Sequence, residues 1–175
     1  QIVSKIWIDP TDTDRIYKID RNGADRLVIN YLHEVPEINQ RNNWKSLNRF
    51  HLLNKPIKFN FMKDIEDPHY NQIMYVPTLE YNYYDGLIPG LRLHNKTLMD
   101  KPFMFNINPT FSTKTSTISG STSFTFNNYN RNSNLYLTKY NVSYSHFHYA
   151  PDAYYKKFNP SVSFRFRQDD FRENK

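Results

Sequence analysis

The chain has 175 residues, a formal net charge of +6 and 17% aromatic residues, among them 14 Tyr and 13 Phe. Disordered segments are poor in aromatic residues, so this composition disfavours disorder, and the length suffices for one domain with a core. No run of about 18 apolar residues exists, which excludes a transmembrane helix, and the absence of Cys excludes disulfides and Cys-ligated zinc. The positive charge permits anionic partners such as lipopolysaccharide phosphates or lipid headgroups. Because the Lys and Arg residues are scattered and form no contiguous run, nucleic acid is not expected as a partner.

Residues 1–55 lack the long alternating runs that follow them. They begin at Gln1 without a leader, so we expect a processed or partial chain. Short β-like runs flank Asn22-Gly23, a dipeptide that favours tight hairpin turns, and Pro36 then interrupts the pattern. We therefore expect 1–55 to be a lead-in or plug segment with one hairpin, followed by a second region over 56–175.

From residue 56 onward, apolar and polar residues alternate, and this pattern predicts successive strands because side chains on a strand point to opposite faces with a period of two. The clearest segment is 102–127, where two arms joined by a turn place Phe and Ile on one face and Asn, Ser and Thr on the other. Each arm is about ten residues long, which suits a tilted strand that crosses a bilayer. Further strands are predicted at 57–62, 73–84, 87–97, 135–147 and 161–167, and loops at 64–71, 127–134 and 149–159.

These elements predict an all-β fold, an incomplete antiparallel transmembrane β-barrel of about seven strands over 56–175. The smallest closed barrels use about eight strands, and a sheet in lipid cannot keep an open edge. We therefore expect the remaining strands to come from sequence outside this chain or from a partner membrane protein. Short turns at Asp85-Gly86 and 114–117 are expected on the periplasmic side and longer loops outside. The long 149–159 loop counts against that orientation, because it falls on the short-turn side.

Several short segments of the sequence resemble one protein family. They lie at 19–23 (Ile-Asp-Arg-Asn-Gly), 35–42, 70–72 and especially 84–97, which begins Tyr-Asp-Gly-Leu-Ile-Pro-Gly-Leu. Together they are similar to the C-terminal β-barrel region of large gluzincin-type metallopeptidases of Bacteroidota. In that family the peptidase domain precedes the barrel and carries a His-Glu-x-x-His zinc motif. Here His33-Glu34 is followed by Val-Pro-Glu, so no catalytic residue carries over. The resemblance implies an anchoring portion in the outer membrane of a Gram-negative bacterium.

Two kinds of side-chain group could bind a metal ion. His146 and His148 share a strand face, but no third ligand is visible in the sequence, so a lumen-facing or interfacial position is the alternative. Calcium needs about six to eight oxygen ligands and usually a turn that glycine permits, and neither acidic segment offers both. We therefore assign no catalytic, cofactor-binding or metal-binding residue. The two acidic segments contain Asp64, Glu66, Asp67 and His69, and Asp9, Asp12 and Asp14.

A set of basic side chains falls on the polar face of the predicted strands. Charges at bilayer depth must avoid lipid, so an interior position is expected for them. We expect pairing with carboxylates such as Glu80, and the alternative is a positive lumen that selects solutes. The basic set is Arg92, His94, Lys96, Arg165 and Arg167.

Two functions remain open from the sequence. The first is a membrane-embedded barrel segment that anchors a larger protein or forms part of a membrane complex, with outer-membrane lipid, lipopolysaccharide and the missing strands as partners. The second is a secreted soluble β-sandwich module that binds glycan through Tyr and Trp. A sandwich would bury the Phe-rich face between two sheets, whereas a barrel exposes it in a band about 25 Å tall. No cofactor and no enzymatic chemistry are expected from these residues.

Overall fold

The computed structural model is nearly all β, as the alternation predicts, with 58% of the described residues in strands. The chain divides into two compact units, Gln1–Pro56 and Ile57–Lys175. The structure describes residues 2–8, 16–32, 34–47, 55–62, 66–130, 132–150 and 152–167.

The first unit contains a small antiparallel ladder, β1 (Arg26–Val28) and β2 (Trp44–Ser46), with a single 3₁₀ turn (Arg41–Asn43) just before β2. The turn predicted at Asn22-Gly23 forms, since both residues have positive φ and the amide of Ala24 donates to the carbonyl of Arg21. The predicted hairpin around it is wrong, however, because 16–20 is not a strand. Residues Arg26–Val28 pair instead with the more distant Trp44–Ser46.

The second unit is a seven-stranded sheet whose strands lie in chain order. Neighbouring strands from β4 to β9 are antiparallel, which confirms the predicted antiparallel arrangement for these six strands. The sheet is not closed: its outermost strands are β3 and β9. The strands are β3 (Ile57–Phe61), β4 (Asn71–Asn82), β5 (Gly86–His94), β6 (Phe103–Ser112), β7 (Thr117–Tyr129), β8 (Leu135–Ala150) and β9 (Ala153–Phe166).

The first strand of this sheet departs from the expected geometry. β3 is parallel to β4 and covers only its first five residues, from Ile57 opposite Asn71 to Phe61 opposite Tyr75. The connection after β3 therefore carries the chain back to the end where β3 began, so the antiparallel arrangement predicted for the whole sheet is wrong for β3. As a result, the rest of the outer edge of β4 has no strand beside it among the described residues.

The loop predicted at 149–159 is wrong. β8 continues to Ala150 and β9 begins at Ala153, with His148 opposite Tyr154 and Ala150 opposite Ala153. The polar and proline-containing composition of this stretch is typical of a loop, but its Tyr and Phe residues complete the ladder. All three connections at this end of the sheet are therefore short, and the longer connections 95–102 and 130–134 lie at the other end.

Gly120 allows β6 and β7 to approach each other closely. It lies opposite Pro109 at φ +131°, and a Cβ there would overlap the carbonyl oxygen of Asn108. Only glycine adopts this backbone conformation without strain, and here the clash would be with backbone atoms, which cannot rotate away. Gly120 thus holds together the two arms that carry the clearest alternation.

Gly120→Ala is expected to lower the free energy of unfolding by about 2 kcal/mol or more, because it adds backbone strain and a steric overlap. The matched control is the exposed neighbour, Ser121→Ala, for which a change within about 0.5 kcal/mol is expected. Urea denaturation of the two variants measures both effects, and equal stability of the two would contradict the role given to Gly120.

Candidate functional site

One face of the seven-stranded sheet is lined by aromatic and aliphatic side chains across its whole width, and we call it the aromatic face. Register determines its members: Phe105 lies opposite Phe124, Phe124 opposite Val142, and Val142 opposite Pro160. It comprises the odd-numbered residues of β3 to β6 and the even-numbered residues of β7 to β9. The exception is the short-turn end of β8, where His146 and His148 are partly or fully buried and Phe147 and Tyr149 are exposed instead. The structure confirms the prediction that the Phe residues of the two arms in 102–127 lie on one face.

The rings of the aromatic face contact one another but are not buried. The ring centroids of Phe103 and Phe126 lie 4.7 Å apart, and Phe103 also stacks on Phe124 at 6.3 Å. Phe103, Phe111 and Phe126 remain 39%, 45% and 54% exposed. Large apolar surface left in water is unfavourable, at about 25 cal/mol per Å², so a continuous exposed face of this kind indicates an interaction surface.

The opposite face, which we call the polar face, consists largely of hydroxyl and amide side chains that bond to one another. Thr110 and Ser119 share a hydrogen bond of 2.9 Å between their hydroxyls, and Thr125 donates to Asn141 at 3.0 Å. Thr78 reaches across Gly90 to Asn108 at 3.5 Å, because Gly90 has no side chain to separate β4 from β6. These bonds satisfy polar groups without help from outside the sheet.

The basic residues predicted for the interior lie only partly on the polar face. The register places Arg92, His94 and Arg165 there, whereas Lys96 and Arg167 lie just beyond the ends of β5 and β9. The predicted pairing with Glu80 is wrong for Arg92, whose Nε donates to Asn106 at 2.7 Å. Among the described residues no carboxylate lies within ion-pairing distance of Arg92 or Arg165, so neither guanidinium is ion-paired there.

A buried polar cluster connects the β4–β5 turn to β8. Nδ1 of His148 lies 2.8 Å from Oδ1 of Asp85, off the direction of an ordinary hydrogen bond, and both side chains are 2% exposed or less. Thr115 donates to the same carboxylate oxygen at 2.9 Å. Asn82 donates through Nδ2 to the carbonyl of His148 at 3.3 Å. Because β5, β6 and β7 lie between these elements in the sheet, the sheet must be strongly coiled at its short-turn end.

Sequence reasoning missed this cluster. Asp85 was assigned to a turn, which is correct because Gly86 follows it with φ +72°. His146 and His148 were considered together, and both rings do contact Tyr154, with ring centroids 5.3 and 4.1 Å away. No sequence signal joins Asp85 to His148, because their proximity depends on the coiling of the whole sheet.

The structure brings together no metal site among the residues it describes, since no group of three or more His, Asp or Glu side chains is arranged to hold an ion. Of the acidic loop, Glu66, Asp67 and His69 are among the residues that the structure describes. Asp64 lies outside the described residues, as do Asp9, Asp12 and Asp14.

Asp67 organises the start of β4 through local contacts. Partial burial raises the pKa of this carboxyl, but the amide of His69 and the ammonium of Lys58, 3.1 Å away, outweigh it and hold the pKa below its ordinary value of 3.8. A lowered pKa means that the ionised carboxylate stabilises the fold above the unfolded-state pKa. This contribution is lost as the pH falls through the folded-state pKa. Asp67 is therefore a structural loop residue.

Comparisons with known protein families, curated proteins and solved structures found no match to this chain.

Within the described residues, no helix has the length and apolar character needed to span a membrane.

Replacing Asp85 by Asn is expected to lower the free energy of unfolding by about 2–4 kcal/mol, because it removes one partner of the buried contact with His148. Asp152→Asn, in the exposed β8–β9 turn, changes the charge equally and should cost less than about 0.5 kcal/mol. His148→Gln should show less than additive loss when combined with Asp85→Asn, as coupled neighbours do. Strict additivity in denaturant titrations would contradict the contact.

Proposed function

We propose that the second unit is part of an outer-membrane β-barrel that anchors a larger protein in the membrane of a Gram-negative bacterium. The observation that carries this proposal is the separation of the two faces. Apolar rings are exposed over the full width of one face, and hydroxyls and amides bond to one another on the other. A membrane barrel needs this distribution, with apolar side chains toward lipid and polar side chains toward the interior.

The lengths of the strands support the proposal. β4 to β9 contain between 9 and 16 residues. A tilted strand needs about 9–11 residues to cross the hydrocarbon core of a bilayer, so each of these strands is long enough. β3 has only five residues and does not reach this length.

The connections between strands also support it. Bacterial outer-membrane barrels have short periplasmic turns and longer extracellular loops. Here the turns after β4, β6 and β8 are short and lie at one end, and the connections after β5 and β7 are longer and lie at the other. We infer that the short-turn end faces the periplasm.

A barrel built on this sheet needs more strands than the described part contains. An open edge in lipid leaves backbone amides and carbonyls without partners, at a cost of several kcal/mol each. β9, β3 and the part of β4 that β3 does not cover have such edges. Further strands of the same protein, or of a partner membrane protein, would complete the wall. The resemblance of 84–97 to the barrel region of metallopeptidases favours an anchoring role for a peptidase-like protein, surrounded by outer-membrane lipid and lipopolysaccharide.

The alternative, a soluble β-sandwich that binds glycan, fits these observations less well. A sandwich packs the apolar faces of two sheets against each other. The described part of the second unit contains one sheet, and Phe103, Phe111 and Phe126 on its aromatic face are exposed. The exposed Tyr residues at the strand ends, such as Tyr81 and Tyr83, fit the aromatic girdle of a membrane barrel as well as a glycan platform.

Two neighbouring residues at the middle of β8 test the proposal. Val142 lies on the aromatic face and Ser143 on the polar face. Val142→Lys is expected to lower the stability of the chain folded into phospholipid vesicles by about 2–4 kcal/mol, because the charge would lie near the centre of the bilayer, whereas Ser143→Lys should change it little. Urea titration in vesicles measures both.

Equal effects of the two substitutions would contradict the membrane orientation. So would a wild-type chain that stays folded and monodisperse in plain buffer without lipid or detergent.

A further inference from the structure

The ladder between β5 and β6 is interrupted in its middle, whereas the next ladder, between β6 and β7, runs without a gap. The register of β5 on β6 is the same on both sides of the interruption, so Pro89 faces Phe111 and Leu91 faces Pro109. We call the interrupted part, around Pro89 and Pro109, the seam. The pairs that β5 and β6 do form are Gly90 with Thr110, Leu93 with Ile107, and His94 with Asn106.

Proline causes the interruption. In an antiparallel ladder, every second residue of a strand directs both its amide and its carbonyl to the same neighbouring strand. The amide of Thr113 donates to the carbonyl of Leu87 at 3.0 Å, so the odd-numbered residues of β5 and β6 face across the seam. Pro89 and Pro109 lie at such positions and have no amide hydrogen to donate. Each of them therefore removes one backbone hydrogen bond from the seam.

The other two prolines in strands β4 to β9 face no strand among the described residues. Pro77 lies opposite Leu91, whose backbone faces β6, so the backbone of Pro77 faces the part of the β4 edge that β3 does not cover. The amide of Arg167 donates to the carbonyl of Asn134, so odd-numbered residues of β9 face β8 and Pro160 faces the free edge. Prolines are normally confined to such edges. In its proline content, the seam therefore resembles an edge inside the sheet.

Side chains on the polar face replace part of the bonding that the seam lacks. Nε of Arg92 in β5 donates to Oδ1 of Asn106 in β6 at 2.7 Å, and this bond is exposed. Thr78 donates across β5 to Asn108 at 3.5 Å. Exposed hydrogen bonds belong to the parts of a fold that open most easily.

Both ends of the seam are held in place. At the short-turn end, the amide of Lys114 donates to the carbonyl of Asp85 at 2.9 Å. At the other end, the side chain of Asn95 accepts from the amide of Phe105 at 2.8 Å and donates to the carbonyl of Phe103 at 3.0 Å. An opening is therefore confined to the middle of the two strands and does not separate them along their whole length.

We infer that the sheet opens reversibly at the seam and so provides a passage between its polar and aromatic faces. Each backbone hydrogen bond that is missing makes such an opening about fivefold more frequent. In the membrane orientation proposed above, the passage connects the polar interior with the surrounding lipid. The opening itself does not depend on that orientation, because it follows from the bonding between β5 and β6.

Amide hydrogen exchange of the full chain, measured residue by residue by NMR, tests the inference within one strand. The amide of Phe111 faces the seam, whereas the amide of the preceding residue, Thr110, faces β7. Because two bonds are missing, the protection factor of Phe111 is expected to be about 25-fold lower than that of Thr110. The comparison can be made in detergent micelles or in plain buffer, so it does not require the chain to enter a membrane.

Two proline substitutions separate the seam from general effects of proline. Pro109→Val restores an amide that faces β5, and it should raise the protection factor of Phe111 about fivefold. The matched control is Pro160→Val, which restores an amide at the free edge of β9 and should leave the protection factor of Phe111 unchanged.

Equal protection of Phe111 and Thr110 in the wild type overturns the inference. So does an equal effect of Pro109→Val and Pro160→Val, because the effect would then not come from the bond restored at the seam. A chain that stays folded in plain buffer contradicts the proposed membrane function but leaves this test of the seam intact.

Discussion

The seven-stranded sheet keeps two chemically distinct faces only because each pair of neighbouring strands from β4 to β9 keeps one register, apart from shifts at the two ends of the β8–β9 ladder. A slip of one residue between two strands would turn every side chain of one of them to the opposite face. Phe124, for example, would then meet Ser143 instead of Val142. The apolar surface that the proposed function needs therefore depends on the backbone hydrogen bonds that hold the register. The apolar residues of each strand must also fall at the positions that this register turns to the aromatic face.

Two local features support this register at the short-turn end. Gly120 lets the backbone of β7 approach Asn108 more closely than any side chain would permit. The buried contact between Asp85 and His148 connects elements that are not neighbours in the sheet and so fixes its coiling. A coiled sheet is the form that a barrel wall requires, because strands must tilt and coil before a sheet can close. Both features determine how the sheet is coiled, whereas the alternation along the strands determines which side chains line each face.

Alternation in the sequence was sufficient to predict the strand content and the two faces, because burial and lipid exposure both impose a period of two on each strand separately. It failed where the outcome depends on other strands. The stretch after Tyr149 has the Pro, Asp and Lys residues of a loop, yet it pairs with β8. Pro160 is tolerated there because an edge strand needs hydrogen bonds on one side only. The parallel pairing of β3 and the contact of Asp85 with His148 were likewise invisible, since both are set by the arrangement of the whole sheet.

The proposed function requires that one face of the sheet contacts lipid and the other contacts water. The chain contains no Cys, so single cysteines carrying spin labels can be placed at successive positions of β8 from Tyr140 to Ser145 without interference. In vesicles, the account predicts that labels at even positions collide mainly with oxygen, which dissolves in the bilayer, and labels at odd positions mainly with a water-soluble nickel reagent. Accessibility without a period of two, or even positions shielded from both reagents as in a water-soluble core, would contradict it.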